Sequence, residues 1–189
     1  MSGLLALHNE QAKSVIEKNG IEVPNQYSDL DKEYYALRHN VALSDYSHYS
    51  KLKIEGDEAF DVLDIAVAGD VAEIRDEQTL YTVILDDAGN IITDVYIMND
   101  DDTYVVLAEH VDDETLLSLF EERKGDFEDV EMTSLSQSHA IVAIEGPYSW
   151  ELAKEIYGMD VIGIPFLGFI ALEEDTYLLR AGKHGEFSY

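Results

Sequence analysis

Thr79-Leu80-Tyr81-Thr82-Val83-Ile84-Leu85, then Asp86-Asp87-Ala88-Gly89-Asn90, then Ile91-Ile92-Thr93-Asp94-Val95-Tyr96-Ile97-Met98 decides the fold class. The outer segments are rich in β-branched and aromatic residues. The middle one carries a glycine able to take positive φ, so the stretch predicts an antiparallel hairpin. Asn99 to Asp102 supplies the next turn and Thr103 to Ala108 a third strand. Upstream, Lys51 to Glu55 alternates as a strand. Gly56-Asp57 then opens a helix to about Val67, with Ala59, Phe60, Leu63 and Ala66 at helical spacing. Downstream, Asp112 to Arg123 reads as a helix with an acidic first turn, favourable to the helix dipole. Phe127 to Met132 and Ala140 to Ile144 read as strands, and Gly146-Pro147 starts a helix to about Tyr157. Phe166 to Leu172 and Thr176 to Ala181 form a last strand pair around Glu173-Glu174-Asp175. At the N-terminus, Leu4 to Lys18 predicts a helix stopped by Asn19-Gly20, and Pro24 to Tyr27 a loop. Asp29 to His39 predicts a second helix capped by Asp29. No internal repeat, low-complexity tract or linker interrupts the chain. The expectation is one α+β domain over residues 1–189, a mixed or antiparallel sheet with helices on one side.

Of the 189 residues, 40 are acidic and 12 are Lys or Arg, a formal charge of −28. Such a surface repels phosphate backbones and anionic membrane surfaces, so neither nucleic acid nor membrane is an expected partner. It suits solubility, high salt or a basic protein partner, and without any of these it is a solvated acidic face. A hydrophobic fraction of 46% leaves enough apolar chain for a buried core. There is no cysteine, which excludes disulfides, thiolate metal sites and cysteine nucleophiles and fits a reducing cytoplasm. No apolar run reaches the roughly 18–20 residues of a membrane span, and Met1 to His8 has no secretory-signal pattern.

Phosphate-cradling glycine loops, His-Glu-x-x-His and Gly-x-Ser-x-Gly are all absent. The six histidines, His8, His39, His48, His110, His139 and His184, are never three or four apart, so no helical metal pair exists. Asp86-Asp87, Asp100-Asp101-Asp102 and Glu173-Glu174-Asp175 fall where strands reverse and read as solvated turns. Asp94 is different, because aspartate is disfavoured inside a strand. If Ile92 faces the core, so does Asp94 by period-two alternation, and its carboxylate then needs a partner or ligand. If the odd-numbered residues face inward, Asp94 is solvated; spacing leaves both open. The segment Arg180-Ala181-Gly182-Lys183-His184-Gly185-Glu186-Phe187-Ser188-Tyr189 crowds charge and glycine at a chain end, where a loose tail is the ordinary outcome.

Taken in order, several pieces resemble the N-terminal half of the aminomethyltransferases, the T-protein family of the glycine cleavage system. They are Val23-Pro24-Asn25-Gln26-Tyr27, Glu33 to Arg38, Val41 to Tyr49, Ile54-Glu55-Gly56-Asp57-Glu58-Ala59, Leu80-Tyr81-Thr82 with Leu85 and Gly89 to Asp94, Glu145-Gly146-Pro147, and Gly182 to Glu186. The resemblance implies the family's folate-binding N-terminal fold and tetrahydrofolate as cofactor. It places the family's catalytic aspartate on Asp94, its pterin-binding glutamate on Glu186, and a pocket-lining aromatic on Tyr81. A carboxylate at Glu186 suits that task, since it accepts parallel hydrogen bonds from an aminopyrimidine edge. Tyr81 reads equally as a strand-core tyrosine.

The chain also departs from the family. Leu107-Ala108-Glu109-His110 stands where an Asn-Ala-x-Asn pattern is common, Lys183 replaces a tyrosine, Thr93 the first of two aspartates, and Glu145 a glutamine. Folate-binding paralogues linked to iron–sulfur cluster upkeep carry a late cysteine that is missing here. Family members are about twice as long. The expectation is a tetrahydrofolate-dependent aminomethyl- or methyltransferase, a half-enzyme whose partners would be folate and either a C-terminal-half chain or a lipoyl carrier protein. The alternative is a non-catalytic folate-binding or regulatory module that kept the fold.

Overall fold

The computed structural model describes residues 4–8, 11–172 and 176–189. In chain order the elements are α1 Leu5–His8, β1 Ser14–Lys18, β2 Ile21–Gln26, α2 Leu30–His39, β3 Ala42–Asp45, β4 Ser50–Glu55, α3 Ala59–Ala66, β5 Gln78–Leu85, β6 Ile91–Asp100, β7 Thr103–Ala108, α4 Asp113–Lys124, β8 Glu131–Ser134, β9 Val142–Glu145, α5 Ser149–Tyr157, β10 Phe169–Ala171 and β11 Tyr177–Leu179. They form two compact units, one of Tyr49–His139 and one of Met1–His48 with Ala140–Tyr189. None of the described helices is long and apolar enough to cross a membrane.

The unit Tyr49–His139 is built on an antiparallel sheet in the order β5-β6-β7-β4-β8. Leu52 and Ile54 of β4, Val95 and Ile97 of β6 and Val106 and Ala108 of β7 form one apolar face. Val62 and Leu63 of α3 and Leu116 and Phe120 of α4 pack on that face, so both helices lie on the same side. Each fully buried side chain of this size contributes about 1.5–3 kcal/mol of transfer free energy. The hairpin forms as predicted. Asp86 organises its turn, accepting from the backbone N–H groups of Ala88 and Asn90 and from the Asn90 side chain, while Gly89 takes φ +81°. These hydrogen bonds, the Asn90 amide's first among them, hold the Asp86 carboxyl below its usual range. The next turn has Asp101 and Asp102 at φ +50° and +62°, between the paired Asp100 and Thr103. The run Asp100-Asp101-Asp102 is thus a tight hairpin turn.

The strand expected over Phe127 to Met132 begins later, at Glu131. The Glu58 carboxylate takes the backbone N–H groups of Glu128 and Asp129. Those donors are therefore unavailable to a sheet ladder.

In the other unit β1 pairs with β2, β3 with β9 and β10 with β11, all antiparallel. The helix expected over Leu4 to Lys18 ends at His8, and Ser14–Lys18 is a strand instead. Asn19 and Gly20 both have positive φ, +49° and +72°. That is the conformation of a two-residue hairpin turn, so the pair joins two strands rather than stopping a helix. Pro24, expected in a loop, lies within β2 opposite Val15, next to a register shift. Asp29 occupies the N-cap position of α2 without capping it. Its carboxylate pairs with Lys13, and Glu33 instead accepts the backbone N–H groups of Tyr27 and Ser28. The segment expected as a last strand pair shortens to β10 and β11, and its proposed turn, Glu173-Glu174-Asp175, lies outside the described residues, as do Asn9 and Glu10.

One local passage occurs twice, which sequence inspection had not revealed as a repeat. Ile54-Glu55-Gly56 leads from β4 towards α3, and Ile144-Glu145-Gly146 leads from β9 towards α5. Both glycines hold similar positive φ, +120° and +126°.

Helix α4 is capped by Asp112, whose carboxylate accepts the Thr115 backbone N–H at 2.8 Å. This bond with Thr115 holds the Asp112 carboxyl below its usual range. A depressed folded pKa adds stability above the unfolded value, and that stability is lost as pH falls through the folded one. Asp112→Ala is expected to cost about 1 kcal/mol at neutral pH, and Asp112→Asn much less. Urea melts at pH 7 and again below pH 4 check this: the Asp112→Ala deficit shrinks in acid.

Candidate functional site

Asp94 sits in β6, and the two readings of its register are resolved by a β-bulge. Ile84 pairs with Thr93 and Leu85 with Ile91, leaving Ile92 as the extra residue. Ile92 therefore packs against the core beside the odd-numbered Val95 and Ile97, while Asp94 projects from the opposite face. The reading built on Ile92 failed because the bulge resets the period; the odd-numbered residues face inward from Thr93 on, yet Asp94 is part-buried rather than solvated.

On that face Asp94 and Tyr81 are brought together. The Tyr81 hydroxyl donates to Asp94 Oδ2 at 2.6 Å, and the Tyr81 ring lies 4.6 Å from that of Tyr96, tilted by 36°. Tyr81 remains 46% exposed, so its ring is not a core residue. Glu109 and His110, at the end of β7, complete the cluster. His110 Nε2 is 3.6 Å from Asp94 Oδ1 and 3.8 Å from Glu109 Oε2, and the Tyr49 hydroxyl donates to Glu109 Oε2 at 2.9 Å. One ligand atom from each of Asp94, Glu109 and His110 lies within 4.8 Å of the others, a spacing that a divalent cation could bridge. Sequence reading missed this grouping because Glu109 and His110 stood out only as departures from a pattern.

Glu186 belongs to the other unit. Its Oε1 accepts from Arg38 Nη1 at 2.9 Å, and the same Arg38 nitrogen donates to the His184 carbonyl at 2.9 Å. Arg38 also lies 5.6 Å from the Tyr34 ring centroid. The Glu186 carboxylate holds the Arg38 guanidinium above its ordinary range. Arg38 thus fixes both the backbone and the carboxylate of the late glycine-rich segment. A carboxylate has about four acceptor directions and Arg38 uses one, so Glu186 keeps capacity for a ligand. Beside it lies a cavity of about 300 Å³, lined in part by Phe166, Arg180, Gly182, Glu186 and Phe187. This is at the low end for small-molecule clefts.

The chain end is not a loose tail. Ile144 and Tyr189 exchange backbone hydrogen bonds of 2.9 and 3.0 Å, and the Gly146 N–H donates to the Phe187 carbonyl at 2.8 Å. The last residues therefore meet β9 through an isolated antiparallel bridge, Ser188 opposite Glu145. Glu145, at the end of β9, is 1% exposed, and its carboxylate accepts from the Ser44 and Tyr46 hydroxyls, each at 3.1 Å. Its other oxygen meets His184 Nδ1 at 2.8 Å. In the sequence Glu145 stood out as a replacement for the family's glutamine and His184 lay in the late glycine-rich motif, but nothing there paired the two.

Comparison with known proteins places these features in a family. The family model described as the GCVT N-terminal domain matches residues 4–187. An aminomethyltransferase of Alkaliphilus oremlandii is 30% identical over 97% of this chain and 51% of its own length. A probable aminomethyltransferase of Thermococcus kodakarensis is 29% identical over 95% of this chain and 47% of its own. The crystal structure of glycine cleavage system aminomethyltransferase T from Bartonella henselae superposes with a TM-score of 0.89 at 21% identity, covering 98% of this chain and 51% of that one. The chain therefore spans about half the length of these relatives and has the helix-and-antiparallel-sheet fold of the T-protein. It belongs to the GCVT N-terminal domain family.

Proposed function

We propose that residues 1–189 act as one folate-binding domain of a tetrahydrofolate-dependent aminomethyl- or methyltransferase. In this reading Glu186 holds the aminopyrimidine edge of the pterin, and Asp94 orients the folate and steers transfer of the one-carbon unit. Tetrahydrofolate, if bound, would supply a ring nitrogen as the acceptor of that unit, displacing it from its donor group. The observation that carries the reading is that both carboxylates, in a chain of this family, are held by dedicated partners. Arg38 fixes Glu186 and leaves it acceptor capacity, and the Tyr81 hydroxyl fixes Asp94. Tyr81 thereby gains a positioning role beside the pocket-lining one.

The relatives are about twice as long, so the activity is that of this domain together with a C-terminal half, on the same chain or a separate one. A lipoyl carrier protein fits as donor-bearing partner, and a cysteine-free chain suits the cytoplasm.

Calorimetric titration of tetrahydrofolate into the purified chain tests the proposal. Saturable binding is expected, and Glu186→Ala should weaken it by at least about 100-fold, since two charge-assisted hydrogen bonds at roughly 1.5–3 kcal/mol each disappear. Asp94→Ala should weaken it less. No saturable binding up to millimolar folate, with the chain alone and with a relative's C-terminal half supplied, overturns the reading. Folate binding without transfer in that assembled system identifies the non-catalytic module instead.

A further inference from the structure

Buried carboxylates need compensation, because desolvating a charge costs several kcal/mol. Glu145 has it from three donors: the Ser44 hydroxyl, the Tyr46 hydroxyl and His184 Nδ1. A carboxylate offers only acceptors, so the ring nitrogen facing it carries the proton. That leaves His184 Nε2 on the outer side of a ring whose side chain is 45% exposed. A buried acid, an imidazole bound through Nδ1–H and an outward Nε2 together make an imidazole held in one tautomer and one orientation.

The loop around it is fixed from a second direction. Arg38 Nη1 donates to the His184 carbonyl and to the Glu186 carboxylate, each at 2.9 Å. Between the two residues, Gly185 takes φ +77°. His184 and Glu186 are therefore held in a fixed relation by one guanidinium, one buried glutamate and one left-handed turn.

We propose that His184, locked by Glu145 as the Nδ1–H tautomer, is a ligand-contacting acceptor of this unit that works beside Glu186. The two groups present an aromatic nitrogen lone pair and a carboxylate. Such a set recognises a heteroaromatic ligand edge that displays neighbouring N–H donors, the chemistry of an aminopyrimidinone. The inference rests on the folate reading for its ligand, but the tautomer lock stands on geometry alone. Glu145 is the positioning residue: it touches the imidazole, not the ligand.

The test uses the full chain with ¹⁵N-labelled histidine. At about pH 9.5, above the ordinary imidazole range, long-range ¹H–¹⁵N spectra report which ring nitrogen carries the proton. His184 is expected as Nδ1–H in the wild type. In Glu145→Gln the lock is expected to relax to a mixture, since an amide can present either oxygen or nitrogen to the ring. Tetrahydrofolate should move the Nε2 resonance in the wild type, and His184→Ala, titrated below its own melting transition because buried Glu145 loses one of its three donors, should weaken folate binding about tenfold. An Nε2–H or mixed tautomer in the wild type overturns the lock. Folate affinity unchanged in His184→Ala overturns the contact. Should the wild type bind no folate while His184 is Nδ1–H, the lock is supported and folate is overturned as its ligand, which separates failure of this inference from failure of the functional reading.

Discussion

Gly146→Ala is expected to destabilise the chain by about 3 kcal/mol or more, one of the largest single-methyl effects this fold offers. Two costs combine. At φ +126° an L side chain is strained wherever it sits. An alanine Cβ there would also collide with the Asn40 carbonyl oxygen and stand 3.1 Å from the Leu37 carbonyl oxygen. Both obstacles are backbone and cannot swing aside. Gly56 repeats the situation, with φ +120° and a Cβ driven into the Asp129 carbonyl. Gly89 is the control: its φ is +81°, but nothing lies within 4 Å of an added Cβ. Gly89→Ala should therefore cost only the backbone term, about 1 kcal/mol. At about 2–4 °C per kcal/mol for a chain of this size, thermal melts should fall by about 6–12 °C for Gly146→Ala and Gly56→Ala and about 2–4 °C for Gly89→Ala. Equal shifts at all three positions would show that the backbone clash is absent.

Those two glycines also mark where sequence reading stops. The hairpin of β5 and β6, the helices α3, α4 and α5 and the strand β4 were legible because their apolar periods are regular and their turns carry Gly or Asp at the reversing positions. Ser14–Lys18 was misread as helix because Val15 and Ile16 fit either period over so few residues, and Asn19-Gly20 suits a helix stop as well as a hairpin turn. β3 was missed because Ala42–Asp45 is short and mostly half-exposed, and its pairing with β9 spans about a hundred residues of sequence. The segment before β8 read as strand because propensity cannot know that Glu58 has taken its N–H groups. At the candidate site, Asp94 stood out as an acid inside a strand, yet its facing depended on the bulge at Ile92. Glu186 and Tyr81 entered by resemblance. Arg38, His110 and the Glu145–His184 pair came only from coordinates, since each is defined by a partner far along the chain.

Asp94→Asn carries the largest expected effect on activity. In the enzyme assembled to the full length of its relatives, the rate of one-carbon transfer to tetrahydrofolate should fall about 10²–10⁴-fold, the range for losing a positioned acid–base or charge-steering group. The substitution keeps the side chain's shape and an oxygen for the Tyr81 hydroxyl, so KM for folate should change by no more than about threefold. Tyr81→Phe removes the 2.6 Å bond that holds Oδ2. One orienting hydrogen bond at roughly 1–1.5 kcal/mol predicts a loss of about tenfold in kcat. The decisive measurement is the double variant. If Tyr81 acts through Asp94, adding Tyr81→Phe to Asp94→Asn costs little more than Asp94→Asn alone, because the group being oriented no longer carries charge. If the two losses multiply instead, Tyr81 works on the ligand by its own contact, and the hydrogen bond between them is incidental to the chemistry. A rate within about threefold of wild type in Asp94→Asn alone would remove Asp94 from the mechanism and leave the cluster of Asp94, Glu109 and His110 as a feature of the sheet surface.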